Sequence, residues 1–254
     1  MPISLKALRN VDTKILFLDI ETMATLAWVW GAWDQNIIEV QEHEYLLSFA
    51  YKFAGDKTVK VLGLDDFKQD GGFPKAQNDK MLLEALRDII GQADIIVAHN
   101  GRAFDLQKIN SRLMVHQLPP IQPYRMFDTL TELRKNARFI SNKLDHIADE
   151  MSVGRKMAHE GFGLWLGCAQ GDSKAWKKMK AYNRHDVELL EELYYRLRPY
   201  SMTHPNVANS LNRCRKCGSP NLKQEGFVFT NFRRKPREFC FDCKGWQEGS
   251  VEKM

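Results

Sequence analysis

The stretch KILFLDIET, residues 14–22, constrains the fold more than any other part of the chain. Its apolar run reads as a strand buried on both faces, yet that strand ends in Asp19 and Glu21, two positions apart. Alternate residues of a strand share a face, so both carboxylates project one way while Leu18 and Ile20 point the other. Two acids side by side at the end of a core strand repel each other and need a cation. The ordinary alternative, strand-end acids turned into solvent, stays open on this pair alone.

The flanking pattern sets the architecture. YLLSFAYKF and KTVKVLGL read as two further strands, joined at Gly55-Asp56 into a hairpin beside the first. In NDKMLLEALRDII the apolar residues 82, 83, 86, 89 and 90 recur at helical spacing, and ADIIVAH after it is a short, continuously apolar strand of the buried parallel kind. Helices are expected from about Ala103 to His116, over DTLTELRKN and NKLDHIADEM, and, longest, from about Lys174 to Leu197. The whole is an α/β fold, a mixed sheet that starts as an antiparallel hairpin, continues in parallel strands and is flanked by helices. The stretch RPYSMTHPNVANSLN (198–212), with two prolines and many polar residues, reads as a linker. A division follows into a domain at 1–200, a linker at 201–212 and a module at 213–254.

Composition narrows the class. The N-terminal MPISLKALRN lacks a signal peptide's apolar run, and no window approaches the ~18 consecutive apolar residues of a membrane span. The expectation is a cytoplasmic protein with no membrane partner. Residues 211–254 carry ten Lys/Arg against five Asp/Glu, so all of the formal +5 charge sits in that tail. A basic segment on a neutral body suits a polyanion such as nucleic acid; a solvated tail is the plain alternative.

Two more acids stand on apolar faces. In HNGRAFDLQKINSRL, Asp105, Ile109 and Leu113 fall at i, i+4 and i+8, which directs the carboxylate inward; an ordinary first-turn Asp favoured by the helix dipole is the alternative. In the last long helix Met179, Tyr182, Asp186, Leu189, Leu193 and Leu197 form one stripe, and Asp186 interrupts it with a charge. A buried carboxylate must be protonated, paired or bound to metal. His185 lies about 100° round that helix from Asp186 and reads as a surface residue. Four carboxylates from three segments suit a pair of hard divalent cations with open positions for water and phosphate, so the natural substrate is a phosphodiester.

In order and spacing, FLDIET, HNGRAFDLQKINSRL and YNRHDV resemble the three motifs of the DEDD exonucleases, the ribonuclease-H-like proofreading nucleases. The likeness spans roughly residues 14–206 and is strongest to phage-encoded and bacterial exonucleases related to the exonuclease domain of family-B DNA polymerases. Tyr182, four positions before Asp186, matches the tyrosine branch. The resemblance implies a metal-dependent 3′-to-5′ exonuclease on DNA that releases nucleoside 5′-monophosphates, in a bacterial or phage-infected cell. It implies Asp19, Glu21, Asp105 and Asp186 as ligands of two Mg²⁺ or Mn²⁺ ions, and Tyr182 as a fifth catalytic residue. By the same analogy Thr22, Asn100 and Phe104 line the pocket for the terminal nucleotide. The alternatives are an RNA-processing exonuclease, or a zinc-ribbon adaptor that binds nucleic acid beside a weak or inactive nuclease domain. Trp28, Trp30 and Trp33 either offer stacking faces to bases or close an edge of the core.

Four of the five cysteines belong to CRKC (Cys214, Cys217) and CFDC (Cys240, Cys243), paired C-x₂-C knuckles that read as a zinc ribbon with one structural Zn²⁺. Disulfides are disfavoured without a secretory signal. The cluster RRKPR (233–237) near Phe227, Phe229 and Phe232 suits phosphates and bases, and the rival is docking to a replication or repair protein. Cys168 stands alone and reads as a small core hydrophobe.

Overall fold

The computed structural model describes residues 12–33, 36–67, 78–155, 157 and 161–249. MPISLKALRN, together with Asp34 and Gln35 of the tryptophan stretch, lies outside the described residues. In chain order the strands of the first part are β1 (Ile15–Met23), β2 (Leu26–Trp28), β3 (Glu39–Glu42), β4 (Tyr45–Phe53), β5 (Lys60–Gly63), β6 (Ile95–Ala98) and β7 (Arg125–Asp128). The helices are α1 (Lys80–Ile90), α2 (Asp105–Val115), α3 (Thr129–Asn136), α4 (Leu144–Glu150), α5 (Gly163–Ala169) and α6 (Ser173–Leu197).

The main sheet has the order β5-β4-β1-β6-β7. Its β5–β4–β1 half is antiparallel and its β1–β6–β7 half parallel, the mixed sheet that the hairpin and the apolar ADIIVAH strand imply. The fold is α/β, with helices on both faces of the mixed sheet. Strand β7, helix α5 and the β2/β3 pair have no counterpart among the sequence expectations.

Alternation along β1 sorts the two cores. Leu16, Leu18 and Ile20 pack with α1 (Leu82, Leu86) and α2 (Leu106, Ile109) on one face. Ile15 and Phe17 pack on the other with Leu190, Leu193 and Tyr194 of α6, Leu133 of α3 and Ile147 of α4. Asp19 and Glu21 continue the second set, so they point to the face that α6 covers. Every member of the α6 stripe, from Met179 through Tyr182 and Asp186 to Leu197, is buried. The helix starts at Asp172, whose side chain accepts from Lys174 N at 2.9 Å, the ordinary device for one of the orphan donors of a first turn.

Residues beyond α6 fold back on the body. Ser201 Oγ and Thr203 Oγ1 donate to Glu132 at 2.6 and 2.7 Å, and Val207 is buried in the second core. Then β8 (Leu222–Phe229), β9 (Arg234–Cys240) and β10 (Trp246–Glu248) form an antiparallel sheet of order β10-β9-β8, with the four cysteines gathered beside it. Among the described residues no helix is long and apolar enough to cross a membrane.

Candidate active site and cysteine cluster

Strand β1 outruns its parallel neighbour. It pairs with β6 only through Phe17–Val97, so the backbone beyond Leu18 has no strand on that side. Into this gap comes α2, whose first residue Asp105 accepts from Ile20 N at 3.3 Å. The acidic end of β1 is thereby free to meet α6. One carboxylate oxygen each of Asp19, Glu21 and Asp186 lies within 4.8 Å of the others, a donor set of hard oxygens that a divalent cation would bridge. Asp105 stands beside this trio, tied to the backbone of Ile20 between its two β1 members.

Burial pushes the Asp105 carboxyl up to about 7, against the pull of backbone hydrogen bonds from its own residue and Ile20, and the charge of Asp128 adds to the rise. Such a group favours a nearby cation over its own proton as pH rises.

The orientation of Asp19 comes from a residue the sequence analysis left unassigned. Asn183 is fully buried; its Nδ2 donates to Asp19 Oδ2 at 2.6 Å, and its Oδ1 accepts from Ser48 Oγ on β4 at 3.1 Å. The signal was present in spacing, since position 183 is four on from Met179 and three before Asp186, on the inward side of α6. His185 is not bare surface either: it is half-buried and its Nε2 donates to Arg155 O at 2.6 Å.

Tyr182 and Asp19 line a cleft of about 670 Å³ with Asn100, His99, Arg134 and Lys143. The turn after β6 that carries Asn100 depends on close approach: a Cβ at Gly101 would stand 2.4 Å from that of Ala98, so only glycine fits. Asn100 has φ +65°, the left-handed region that asparagine tolerates, and Asp128 accepts from the N–H groups of both Asn100 and Arg102 at 3.1 Å. Asp128 also caps α3 by accepting from Leu130 N and Thr131 N, so one carboxylate fixes the loop and the helix on either side of the cleft. Thr22 follows the bulge after Glu21 and Phe104 is 41% exposed with the Lys108 ammonium 5.4 Å above its ring; neither is a wall of this cleft. Trp28, Trp30 and Trp33 are 60%, 88% and 84% exposed, so they do not close the core. Cys168 is wholly buried and its thiol is pushed up to about 12, chiefly by burial, an inert core group.

In the C-terminal sheet one Sγ of each of Cys214, Cys217, Cys240 and Cys243 lies within 4.8 Å of the rest. The Cys214–Cys243 and Cys217–Cys240 sulfur separations are 3.6 and 3.7 Å, far beyond a disulfide bond. Zn–S bonds of about 2.3 Å in a tetrahedron place sulfurs about 3.8 Å apart, so the cluster fits a zinc ribbon.

A five-stranded mixed sheet with helices on both faces, and an acidic cluster at the overhanging end of its central strand, defines a ribonuclease-H-like α/β protein. The profile of the RNase H superfamily matches residues 16–198, and the chain belongs to that superfamily. This membership points to a nuclease, with nucleic acid as its substrate class. No curated protein matches the chain in sequence. Among solved structures it is similar to the family B DNA polymerase of the hyperthermophilic archaeon Pyrobaculum calidifontis, with 16% identity and a TM-score of 0.49, over 75% of this chain and 26% of that one. The chain thus spans about a quarter of that polymerase.

Proposed function

We propose that this chain is a metal-dependent 3′-to-5′ exonuclease of the tyrosine branch, acting on DNA ends and releasing nucleoside 5′-monophosphates. The observation that carries the proposal is the meeting of Asp19, Glu21 and Asp186 within 4.8 Å, at the side of a cleft that Tyr182 lines. These three acids, with Asp105 beside them, are the groups that would hold two Mg²⁺ or Mn²⁺ ions. Bound there, such ions make water a nucleophile at neutral pH and neutralise charge on the phosphate under attack.

The remaining chemistry belongs to side chains. Tyr182 lines the cleft beside Asp19, where its hydroxyl would orient the attacking water by hydrogen bonding. Its ring is held edge-on by Trp165, centroids 6.1 Å apart, which fixes where the hydroxyl points. Arg134 and Lys143 bring positive charge to the cleft, suited to a phosphate backbone, while Asn100 offers an amide to the terminal nucleotide. Asn183 holds Asp19 in one rotamer by the bond described above. Thr22 and Phe104 lie outside the walls of this cleft, so a contact with the terminal nucleotide rests for them on the resemblance alone.

For the ribbon we propose one Zn²⁺ and a contact with the substrate strand. Phe229 and Phe232 at the β8–β9 tip are 73% and 93% exposed, next to Arg233 and Arg234. An adaptor beside an inactive domain is the weaker reading, since all four acids and the tyrosine are present in the sequence.

The test uses 5′-labelled DNA and RNA oligonucleotides side by side with purified protein. The expected result is a ladder shortening from the 3′ end of DNA, stopped by EDTA and abolished in Asp19→Ala. Equal or faster digestion of RNA favours the RNA-processing reading, and binding without cleavage favours the adaptor.

A further inference from the structure

Arg198, the residue just past α6, is the largest fully buried side chain among the described residues. None of its three guanidinium nitrogens makes a hydrogen bond of normal geometry there, although the Tyr194 phenol lies close enough to interact with it. It lies over the rings of Tyr194 and Tyr195, 5.8 and 5.3 Å from their centroids. The rings cannot neutralise it, because burial pushes the Tyr194 phenol up to about 12 and the Tyr195 phenol higher still, and the Tyr194 hydroxyl is engaged with His204 Nε2 at 2.8 Å. Glu132, tied to the segment just after Arg198, already accepts from Ser201, Thr203 and Lys135. A buried cation is strongly destabilising unless a counter-charge stands close by.

The ribbon supplies that counter-charge. The CRKC knuckle is bonded to Pro199, the residue next to Arg198, which brings the cysteine cluster to it; burial opposes the charge on Arg198, and besides Tyr194 the Cys243 and Cys217 groups favour it. A second cation sits on the same side: Lys216, 4% exposed, donates to Pro199 O at 2.7 Å from within the CRKC knuckle. The seat is tight, since a Cβ at Gly245 would stand 3.1 Å from Lys216 Cδ and 3.3 Å from Pro199 Cα. A backbone bond from Val207 N to Arg215 O at 2.8 Å closes it. Four thiolates around Zn²⁺ carry a net charge of −2, and Arg198 with Lys216 carries +2.

We infer that the zinc–tetrathiolate cluster is the buried counter-ion of Arg198 and Lys216, so that zinc seats the ribbon on the C-terminal end of the helix that carries Tyr182 and Asp186. The inference rests on zinc being the ion of the four cysteines, and it is independent of the nuclease reading. It makes Arg198 a positioning residue for the ribbon, and it makes zinc loading a condition for order at the end of α6. The plain alternative, an arginine satisfied by trapped water, predicts no link between Arg198 and zinc.

The experiment uses the full chain. Metal analysis first counts zinc; competition with a chromophoric zinc chelator then gives relative zinc affinity for wild type, Arg198→Leu, Arg198→Lys and Lys216→Met. Partners of a metal's ligands are generally worth about 10- to 100-fold in affinity. The expected result is one zinc per chain, about tenfold or greater loss in Arg198→Leu, and retention of most affinity in Arg198→Lys. Hydrogen exchange on wild type, with zinc and after chelation, is the second readout and does not depend on any variant folding. Amides of residues 193–198 are expected to exchange faster once zinc is removed. Zinc bound equally well by Arg198→Leu, or exchange at 193–198 indifferent to zinc, overturns the inference. A chain free of zinc also overturns it, and separately removes the zinc reading of the ribbon.

Discussion

Asn183 and Asp105 show how unequal the residue-scale signals are. An acid on an apolar stripe announces itself, because burying its charge is costly, and Asp19, Glu21, Asp105 and Asp186 are all visible in the sequence for that reason. A neutral amide on the same stripe carries no comparable penalty, so Asn183 is legible only through its position. Asn183→Ala frees Asp19 to leave its rotamer and strands Ser48 Oγ. The expected outcome is Mn²⁺ binding weaker by about 10- to 100-fold, read by titration calorimetry, with a stability loss of about 1–3 kcal/mol. Unchanged Mn²⁺ affinity would remove Asn183 from the site. Asp105 makes a prediction in pH. Its carboxyl is held near pKa 7 in the folded chain and ionises near pKa ~3.9 when unfolded, so the folded state favours the proton. The stability this group adds to the metal-free protein is therefore complete below about pH 4 and lost as pH rises through about 7. In urea titrations of EDTA-treated protein, the midpoint difference between wild type and Asp105→Asn is expected to move against wild type across that window. A constant difference would show that burial does not set this pKa.

At the scale of elements, a clear period or an apolar run decided what could be read. The nine-residue β1 and β4 and the 25-residue α6 have enough repeats to reveal their period, and the four-residue β6 shows as the continuous apolar run IIVA, whereas β7, RMFD, has neither. Placement of elements on one another is set by contacts between positions far apart in sequence, which no local pattern encodes. Asp79 is the clearest case. Fully buried ahead of α1, it accepts from Leu46 N on β4 at 2.7 Å and holds Arg112 of α2 through bonds of 3.0 and 2.8 Å, with His116 at 2.6 Å. One carboxylate thus locks α2 against β4, and α2 presents Asp105 at its first turn. Asp79→Ala would leave Arg112 buried beside a lost partner, at an expected cost of about 3–5 kcal/mol in chemical denaturation. A loss under about 1 kcal/mol would mean that the apolar packing of α2 suffices to place it.

For the whole molecule the uneven charge becomes a question of which face meets a polyanion. The basic RRKPR cluster, uniform in sequence, divides in three dimensions. Lys235 pairs with Glu248 at 2.6 Å, and Arg237 donates to Glu225 O at 2.9 Å with its guanidinium 4.9 Å above the Trp246 ring. These two serve the ribbon's own sheet. Arg233 and the exposed rings of Phe229 and Phe232 remain at the tip. If single-stranded DNA runs over that tip, Arg233→Ala should reduce the slope of log K against log salt by about 0.7, one phosphate's share on a single strand. Phe229→Ala with Phe232→Ala should weaken binding by about 1–3 kcal/mol per lost base stack. Arg237→Ala should instead lower the thermal midpoint and leave the salt slope alone. Fluorescence anisotropy of a labelled oligonucleotide, with Asp19→Ala as background to prevent digestion, separates these outcomes. A salt slope and affinity untouched by all of the tip substitutions would reassign the tip from the strand to a protein partner, while the acid cluster on β1 and α6 would keep its own test in the 3′-end assay.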